Sequence, residues 1–358
     1  MHNYEKLESF LKKNCLAYSQ DYDIKSHSYS KTGYLVKIFI MPKTEIELQS
    51  IIQYLVCNLI EYKVIGETTN ILFLDSVIYS IFISTQLLKK IEFFDDYVTV
   101  ECGKNLPDFV REVAMRGYEG FEGLEGIPGT LGGAVFMNAG AYGAVISSNI
   151  INVKCINSKG ELVKLLKSEI NFGRRTSFFK ENEDWLILSI DFKINKGNPE
   201  AIYSKIERFH IARHKYQEWV YPNLGSIYSS DYSIYDSTVE KDNYRLKLSV
   251  IRNIFYNNPI GRYFNRRQPS NEKLNKLFLS HYSLNKYSKL VSKKNINTFV
   301  NVNYSSLEIV DFIYQLGRCL NSGTYLENEL VCSPIYKIVS KDSFDKIVEL
   351  KNIINNKV

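Results

Sequence analysis

The stretch Gly126-Ile127-Pro128-Gly129-Thr130-Leu131-Gly132-Gly133-Ala134-Val135-Phe136-Met137-Asn138-Ala139-Gly140-Ala141-Tyr142-Gly143 is the most informative part of this chain. It carries six glycines in eighteen residues, small residues around them and no charge. Connecting loops use Asp, Asn, Ser and Lys to stay solvated. Glycines let a backbone approach another surface closely, and exposed N–H groups in turns form concavities that hold phosphate. We therefore expect this glycine block to bind a dinucleotide through its pyrophosphate; the alternative is a glycine-rich packing corner.

Three further blocks accompany the glycine block in a fixed order. Gly120-Phe121-Glu122 precede it by three spacer residues, residues 64–74 read VIGETTNILFL, and residues 172–180 read FGRRTSFFK. Together they resemble the flavin-binding signature of the UDP-N-acetylenolpyruvoylglucosamine reductases (UDP-N-acetylmuramate dehydrogenases, MurB). Within residues 64–74, the loop Gly66–Asn70 is similar to the family's G-x-G-S-N, with Thr68 for its second Gly and Thr69 for its Ser. The block at 172–180 is similar to F-G-Y-R-x-S-x-F-K.

The resemblance implies a noncovalent FAD, with NADPH as the hydride donor. Covalent attachment is not expected, because no histidine or cysteine lies inside these blocks. A Rossmann site is disfavoured, because no G-x-G-x-x-G opens a helix. The cofactor-binding residues that the resemblance implies are Gly66, Glu67, Thr68, Thr69, Asn70, Gly126, Ile127, Pro128, Gly129, Thr130, Gly132, Gly133, Ala134, Asn138, Gly140, Tyr142 and Gly143.

The expected fold class is α+β. The resemblance implies a two-subdomain FAD-binding module of the vanillyl-alcohol-oxidase/MurB type, followed by a smaller α+β substrate-binding domain. We place the FAD-binding module at 1–198, ending at Lys196-Gly197-Asn198-Pro199, and the substrate-binding domain at 199–322, with an insertion inside 227–295. A C-terminal segment, 323–358, carries a candidate catalytic glutamate.

Local signals predict several elements. Thr44-x-x-Glu47 is a capping box that should begin a helix burying Ile46, Ile51, Ile52 and Leu55. Ser305-x-x-Glu308 is a second capping box. The other predictions are an N-terminal helix, strands at 62–65, 97–101 and 185–194, helices at 106–115 and 201–214, and a hairpin of 151–156 with 161–165.

Composition narrows the class of protein. A chain of 358 residues with 45% hydrophobic and 23% charged residues is an ordinary globular protein of two or three domains. No apolar run is long enough to span a bilayer and the N-terminus lacks a signal-peptide core, so a cytoplasmic location is expected. The six scattered cysteines favour unpaired thiols over a zinc site. The net charge of +6 suits an anionic nucleotide sugar, whereas no nucleic-acid-binding motif is present. A monomer is favoured.

The resemblance also implies a reaction. In the family, NADPH passes a hydride to the flavin N5 and leaves; an enolpyruvyl nucleotide sugar then receives hydride at its vinyl carbon. Arg175 matches the arginine of F-G-Y-R and suits a carboxylate or enolate because its guanidinium is a planar fork of donors. Ser226 matches the proton-donor serine of A-G-S-x-F-K-N-P. Glu329 matches the second glutamate of L-E-P-E-V, which lies across the pocket from the arginine, and Glu327 matches the first, which is expected to be structural.

Several positions depart from the family pattern. Arg174 replaces a Tyr, residues 227–231 replace x-F-K-N-P, and 279–286 replace the family's glycines and an acidic residue near its L-K-G turn. A turn serine is therefore the alternative for Ser226. Three functions stay open: the reduction of UDP-N-acetylglucosamine enolpyruvate, a flavoenzyme of the same fold acting on another nucleotide sugar or a small alcohol, and a noncatalytic FAD- or nucleotide-sugar-binding paralogue.

Overall fold

The computed structural model describes residues 2–239, 243–261, 263 and 270–355. Two five-stranded sheets and a mainly helical C-terminal part make up a mixed α+β architecture. The helices are α1 His2–Lys13, α2 Ile24–His27, α3 Glu45–Cys57, α4 Leu106–Met115, α5 Leu131–Phe136, α6 Phe178–Glu181, α7 Pro199–Tyr216, α8 Tyr244–Ile251, α9 Glu272–His281, α10 Ser306–Arg318 and α11 Lys341–Asn355.

The first half of the described chain contributes most of the strands. They are β1 Tyr18–Asp23, β2 Leu35–Ile40, β3 Lys63–Ile65, β4 Ile71–Phe73, β5 Val77–Ser84, β6 Ile91–Phe93, β7 Tyr97–Glu101, β8 Tyr118–Glu119, β9 Gly140–Ala141, β10 Ala144–Val145, β11 Ile150–Ile156, β12 Leu162–Leu166, β13 Leu186–Lys193 and β14 Asn195–Lys196. Short strands follow at β15 Tyr228–Ser229, β16 Val291–Ser292, β17 Asn295–Phe299, β18 Tyr325–Leu326, β19 Glu329–Val331 and β20 Ile335–Ile338.

The first sheet has the order β1-β2-β5-β20, and β3 also pairs with β5. Its central strand β5 is apolar along most of its length because it is covered on both faces. Alternate residues of β5 point to opposite faces: Ile81 and Ile83 belong to a core shared with the second sheet, whereas Phe82 belongs to a core shared with the C-terminal part. The first sheet therefore forms the middle layer of the molecule.

The second sheet is antiparallel, in the order β12-β11-β13-β7-β6. The hairpin of β11 with β12 confirms the prediction for this region. Helix α4 covers this sheet and has the predicted bounds. The Asn105 side chain accepts a hydrogen bond from the Asp108 N–H at its N-terminus, and Gly117 adopts a φ of 74° just beyond its C-terminus. These are strong local start and stop signals.

The C-terminal segment returns to the first sheet. Strand β20 pairs antiparallel with β5, and β19 pairs parallel with β4, so residue 329 lies beside residue 71. Helix α10 begins with the predicted capping box, in which the Ser305 and Glu308 side chains each accept the other residue's backbone N–H. These pairings bring the candidate catalytic glutamate next to the loop that follows β3.

One predicted core residue is exposed, and one region holds more helical structure than the sequence predicted. Helix α3 begins at the predicted Thr44 cap, but Ile46 is 80% exposed instead of buried. Residue 46 lies in the first turn, and the buried stripe starts only at Leu48. The residues described between 227 and 295, for which the sequence predicted no elements, contain α8, a π-helix Arg252–Asn257 and α9.

Helix α7 starts at the predicted domain boundary, with Asn198 as its N-cap. It packs against α4 and β8, and Ile206 lies against the core of the second sheet. The beginning of the predicted substrate-binding domain is thus attached to the predicted FAD-binding module. No helix within the described ranges combines the length and apolar character needed to cross a membrane.

Candidate active site

A cavity of about 1240 Å³ lies between the parts of the chain that the sequence singled out. Its walls come from residues 61–66, the glycine block, residues 183–187 with Lys180, residues 326–334 and the end of α11. Typical small-molecule sites occupy roughly 300–1,000 Å³. This cavity therefore has room for a ligand as large as a dinucleotide. Among the predicted site residues, those that line it are Gly66, Thr130, Gly132, Gly133 and Glu329.

The two predicted phosphate loops touch each other at their glycines. The Thr69 hydroxyl donates to the Pro128 carbonyl oxygen at 3.1 Å. A Cβ on Gly66 would overlap the Thr130 hydroxyl, and one on Gly129 would lie 2.8 Å from the Thr69 hydroxyl. Glycine is needed at both positions because any side chain would push the loops apart.

The loop after β3, residues 66–70, uses some of its side chains in contacts within the protein. Thr68, which stands where the family has Gly, adopts a φ of 60°, and its buried hydroxyl accepts a hydrogen bond from the Tyr29 N–H at 3.0 Å. A β-branched residue in this region is strained. The Glu67 carboxylate accepts the Asn105 side-chain amide at 3.0 Å. Side chains around this loop therefore fix its shape.

Asn70 joins the phosphate loop to the C-terminal segment. Its side-chain amide donates to the Glu327 carbonyl at 2.8 Å and its side-chain oxygen accepts from the Asn328 amide at 2.9 Å. Its backbone carbonyl accepts the Glu329 N–H at 2.9 Å. Three hydrogen bonds thus connect residues more than 250 positions apart.

Arg175 contacts a different glutamate from the one predicted to face it. Its Nε donates to Glu327 Oε1 at 3.1 Å, with the two side chains 33% and 15% exposed. Glu329 instead pairs with Lys63 Nζ at 2.6 Å. Both glutamates line the same cavity, and each carboxylate has its own cation, although Arg175 itself does not line the cavity.

Lys63 is a functional candidate that the sequence analysis missed. It begins β3 and lies between Glu329 and Glu183, the latter at 2.7 Å. Burial alone lowers the pKa of Lys63, but the two carboxylates outweigh burial and leave its pKa above the ordinary value of 10.5. The one feature of the sequence that could have pointed to Lys63 is its position just ahead of two apolar residues and a loop that contains glycine.

Ser226 lies in an exposed turn whose backbone is held by the C-terminal segment. Its carbonyl accepts the Asn328 side-chain amide at 3.3 Å, and the Ile227 carbonyl accepts the Glu327 N–H at 2.8 Å. The Ser226 hydroxyl has no hydrogen-bond partner among the described residues, so it is available to a ligand.

The end of the glycine block lies away from the cavity. Tyr142 and Gly143 form the turn of the β9–β10 hairpin with φ values of 52° and 82°. The Tyr142 ring stacks on Phe209 of α7 at a centroid distance of 4.7 Å, and Arg213 lies over the same ring at 5.0 Å. Tyr142 therefore packs against α7, and Gly140 lies against Val145 of β10. None of Gly140, Tyr142 and Gly143, which the sequence analysis assigned to the cofactor, lines the cavity.

The block at 172–180 is fastened to the glycine block. The Asn138 side-chain amide donates to the Gly173 carbonyl at 2.7 Å, and the Ser177 hydroxyl donates to the Phe136 carbonyl at 2.8 Å. Ser177 is fully buried. These bonds place Arg175 at a fixed distance from the glycine block.

The cavity fits FAD. Gly132 lets the backbone lie against Cys102, since a Cβ there would come within 3.0 Å of the Cys102 Cβ. The side-chain oxygen of Asn328 is buried at the cavity wall without a hydrogen-bond partner among the described residues, and it can accept one from a ligand. Residues 66, 130, 132 and 133 would hold the cofactor in this space.

Comparison with known proteins agrees with this geometry. A family model described as an FAD binding domain matches residues 36–166. The UDP-N-acetylenolpyruvoylglucosamine reductase of Carboxydothermus hydrogenoformans is 32% identical over 57% of this chain and 68% of its own length. The enzyme of that name from Staphylococcus aureus strain MRSA252 is 33% identical over 58% of this chain and 67% of its own length.

A solved structure has the same fold. The crystal structure of the Thermus caldophilus UDP-N-acetylenolpyruvylglucosamine reductase (MurB) aligns with a TM-score of 0.62 at 18% identity, over 88% of this chain and 98% of that one. The curated relatives and the family model together define an FAD-dependent oxidoreductase. Within that class, the chain belongs to the UDP-N-acetylenolpyruvoylglucosamine reductase family.

Proposed function

We propose that this protein reduces UDP-N-acetylglucosamine enolpyruvate to UDP-N-acetylmuramate, with NADPH as the hydride donor, in the synthesis of peptidoglycan precursors. The observation that carries the proposal is the position of residues 327–329. They touch the phosphate loop through Asn70, the Arg175 guanidinium through Glu327, and the Ser226 turn through Asn328. The side chain of Arg175 and the backbones of Ser226 and Glu329 therefore belong to one hydrogen-bonded assembly beside the cavity.

The proposed reaction needs groups that stabilise negative charge and deliver a proton. FAD, when bound, supplies the hydride, which adds to the vinyl carbon of the substrate. The adjacent carbon, beside the carboxylate, takes up a proton from the Ser226 hydroxyl, and water returns a proton to the serine oxygen. Hydride and proton together reduce one carbon–carbon double bond by two electrons.

The chain's charged side chains suit these demands. Arg175 offers its unused guanidinium N–H groups to the substrate carboxylate or to the enolate oxygen, where a fixed donor acts most strongly. Because Glu327 contacts Arg175 through Nε alone, the other end of the fork is not needed for that pair. Lys63 keeps Glu329 oriented at the cavity wall. A serine hydroxyl is a weak acid, so its placement decides whether it can act.

A half-reaction experiment tests the proposal. Under anaerobic conditions, NADPH should bleach the flavin absorbance, and the enolpyruvyl sugar should then restore it with formation of UDP-N-acetylmuramate. Bleaching by NADPH without reoxidation by that sugar would reject the substrate but keep the flavoenzyme. Failure to bind FAD at all would reject both.

A second candidate is a flavoenzyme of the same fold that reduces another nucleotide sugar. It is favoured by the part of the chain between Ser226 and α10, where the family's motifs are replaced and where α8, the π-helix and α9 lie. A panel of nucleotide sugars offered to the reduced protein separates the two candidates, because only the true acceptor reoxidises it within seconds.

A further inference from the structure

Two adjacent arginines in the FAD-binding module reach two different segments of the C-terminal part. They lie in a tight turn in which the Gly173 N–H donates to the Thr176 carbonyl at 3.0 Å, and Arg175 adopts a φ of 54°. The left-handed backbone of Arg175 directs the side chains of Arg174 and Arg175 to different segments. Arg175 contacts Glu327, whereas Arg174 contacts the segment that follows Ser226.

Arg174 makes a forked contact with that segment. Its Nε and Nη2 donate to the Ser229 hydroxyl at 3.1 and 2.9 Å, and its Nη1 pairs with the Asp231 carboxylate. Ser229 is only 8% exposed, and it pairs with Tyr325 of β18, directly ahead of Glu327. The contact therefore holds the chain at a buried residue, Ser229, three positions after Ser226.

Asn328 holds the same turn from the other side. Its side-chain amide lies 3.2 Å from the Leu224 carbonyl and 3.3 Å from the Ser226 carbonyl, as well as 2.9 Å from Asn70. Asn328 is 6% exposed. The Ser226 turn, defined here as residues 224–231, is thus fastened on both sides of the serine.

We propose that Arg174 and Asn328 are positioning residues that hold the Ser226 turn in the geometry required for proton delivery. The proposal rests on the proposed function, because it takes Ser226 as the proton donor. The contacts occur where the chain departs from the family pattern: Arg174 replaces a Tyr, Asn328 replaces a Pro, and Ser229 and Asp231 lie in the stretch that replaces x-F-K-N-P. These departures thus meet in space around the serine.

The magnitude follows from how sensitive proton transfer is to placement. A misplacement of about 1 Å can cost on the order of 100-fold in rate. Arg174 is 45% exposed and Asp231 74%, so the ion pair itself contributes little. The bonds to the buried Ser229 are the stronger constraint. Arg174→Ala should therefore slow flavin reoxidation by the enolpyruvyl sugar on the order of tenfold, with flavin reduction by NADPH unchanged.

The test combines a structural and a kinetic measurement on the full-length, FAD-loaded protein. Hydrogen–deuterium exchange of peptides covering 224–231 should speed up in Arg174→Ala and in Asn328→Leu, while peptides from the second sheet stay protected. Solvent deuterium should slow reoxidation more in Arg174→Ala than in the wild type, because proton delivery has become slower. Arg174→Asp combined with Asp231→Arg should recover part of the exchange protection that Arg174→Asp alone loses.

The control is Arg252→Ala, which removes another Arg–Asp pair of the same region, 2.7 Å from Asp236, without touching residues 224–231. It should change neither half-reaction. Unchanged exchange of residues 224–231 in Arg174→Ala would overturn the proposal, as would a rise in KM alone, which would make Arg174 a substrate contact. If the wild type does not reoxidise with the enolpyruvyl sugar, the proposed function fails, whereas the exchange result still decides whether Arg174 holds the turn.

Discussion

Removal of the Lys63 charge is the sharpest test of how the cavity wall is built. Lys63 lies between Glu329 at 2.6 Å and Glu183 at 2.7 Å, and its side chain is 18% exposed. Lys63→Met keeps most of the length of the side chain but leaves both carboxylates without their cation. Breaking a fully buried ion pair costs about 3–5 kcal/mol. Because Glu329 is 26% and Glu183 57% exposed, water compensates part of this cost, and we expect a loss of about 1–2 kcal/mol in the free energy of unfolding.

The pH dependence has a definite sign. The folded-state pKa of Lys63 lies above the ordinary value of 10.5, so the charged lysine stabilises the fold. That contribution is fully present below pH 10.5 and is lost as the pH rises through the folded-state pKa. The difference between wild type and Lys63→Met should therefore be constant from pH 7 to pH 10 and shrink above that range.

Urea unfolding followed by circular dichroism and by tryptophan fluorescence measures the effect. Lys90→Met is the matched control: it removes the same residue type from an ion pair with Glu92 whose side chains are 68% and 48% exposed. Water and salt screen such an exposed pair, so its removal should change the free energy of unfolding little. Equal losses in the two variants would refute the reasoning, because burial would then make no difference. Lys63→Arg should retain most of the stability, since it keeps the charge.

Three other predictions concern the cofactor and the reaction. Gly66→Val together with Gly132→Val should yield colourless protein that FAD does not reconstitute, because the added side chains meet the Thr130 and Cys102 positions, whereas Gly133→Ala should stay yellow because its nearest neighbour would be 3.5 Å away. Arg175→Ala should leave flavin reduction by NADPH intact and slow reoxidation on the order of 100-fold, as measured by anaerobic stopped flow. Ser226→Ala should slow only reoxidation, and Ser226→Cys should restore part of it because a thiol still delivers a proton; equal slowing of both half-reactions in Ser226→Ala would mean that the serine only shapes the turn.

Elements with strong local signals were predictable from the sequence. Helix α4 and strand β7 have the predicted bounds, because the Asn105 cap, Gly117 and the alternation in residues 97–101 are all encoded within a few positions. The glycine block and the loop after β3 were singled out by their glycines and by the resemblance to the family, and the structure brings the two into contact. The predicted burial of Ile46 was wrong, because helical spacing alone does not say where along a helix the core begins.

Long-range pairings could not be predicted. Lys63 and Glu183 are 120 positions apart, and Asn70 and Asn328 are 258 apart. No periodicity links such residues. The parallel pairing of β4 with β19 brings Asn70 to Asn328, whereas Glu183 reaches Lys63 from the segment just ahead of β13. The assignment of Arg175 to Glu327 was missed for the same reason. Two glutamates with one residue between them share a face in an extended segment, and only the fold decides which cation each one meets.

The two glutamates therefore have separable roles that follow from their partners. Glu327 is 15% exposed, is held by the Arg175 Nε and contributes both its backbone N–H and its carbonyl to neighbouring segments, so it maintains the assembly around the serine turn. Among the residues that the structure describes, the Glu329 carboxylate pairs with no arginine but with a lysine that is shared with an exposed glutamate. Lys63 can exchange Glu183 for solvent without losing Glu329. At the cavity wall, the Glu327 carboxylate is thus held by the Arg175 guanidinium. The Glu329 carboxylate is held by Lys63, whose second partner, Glu183, can be replaced by water.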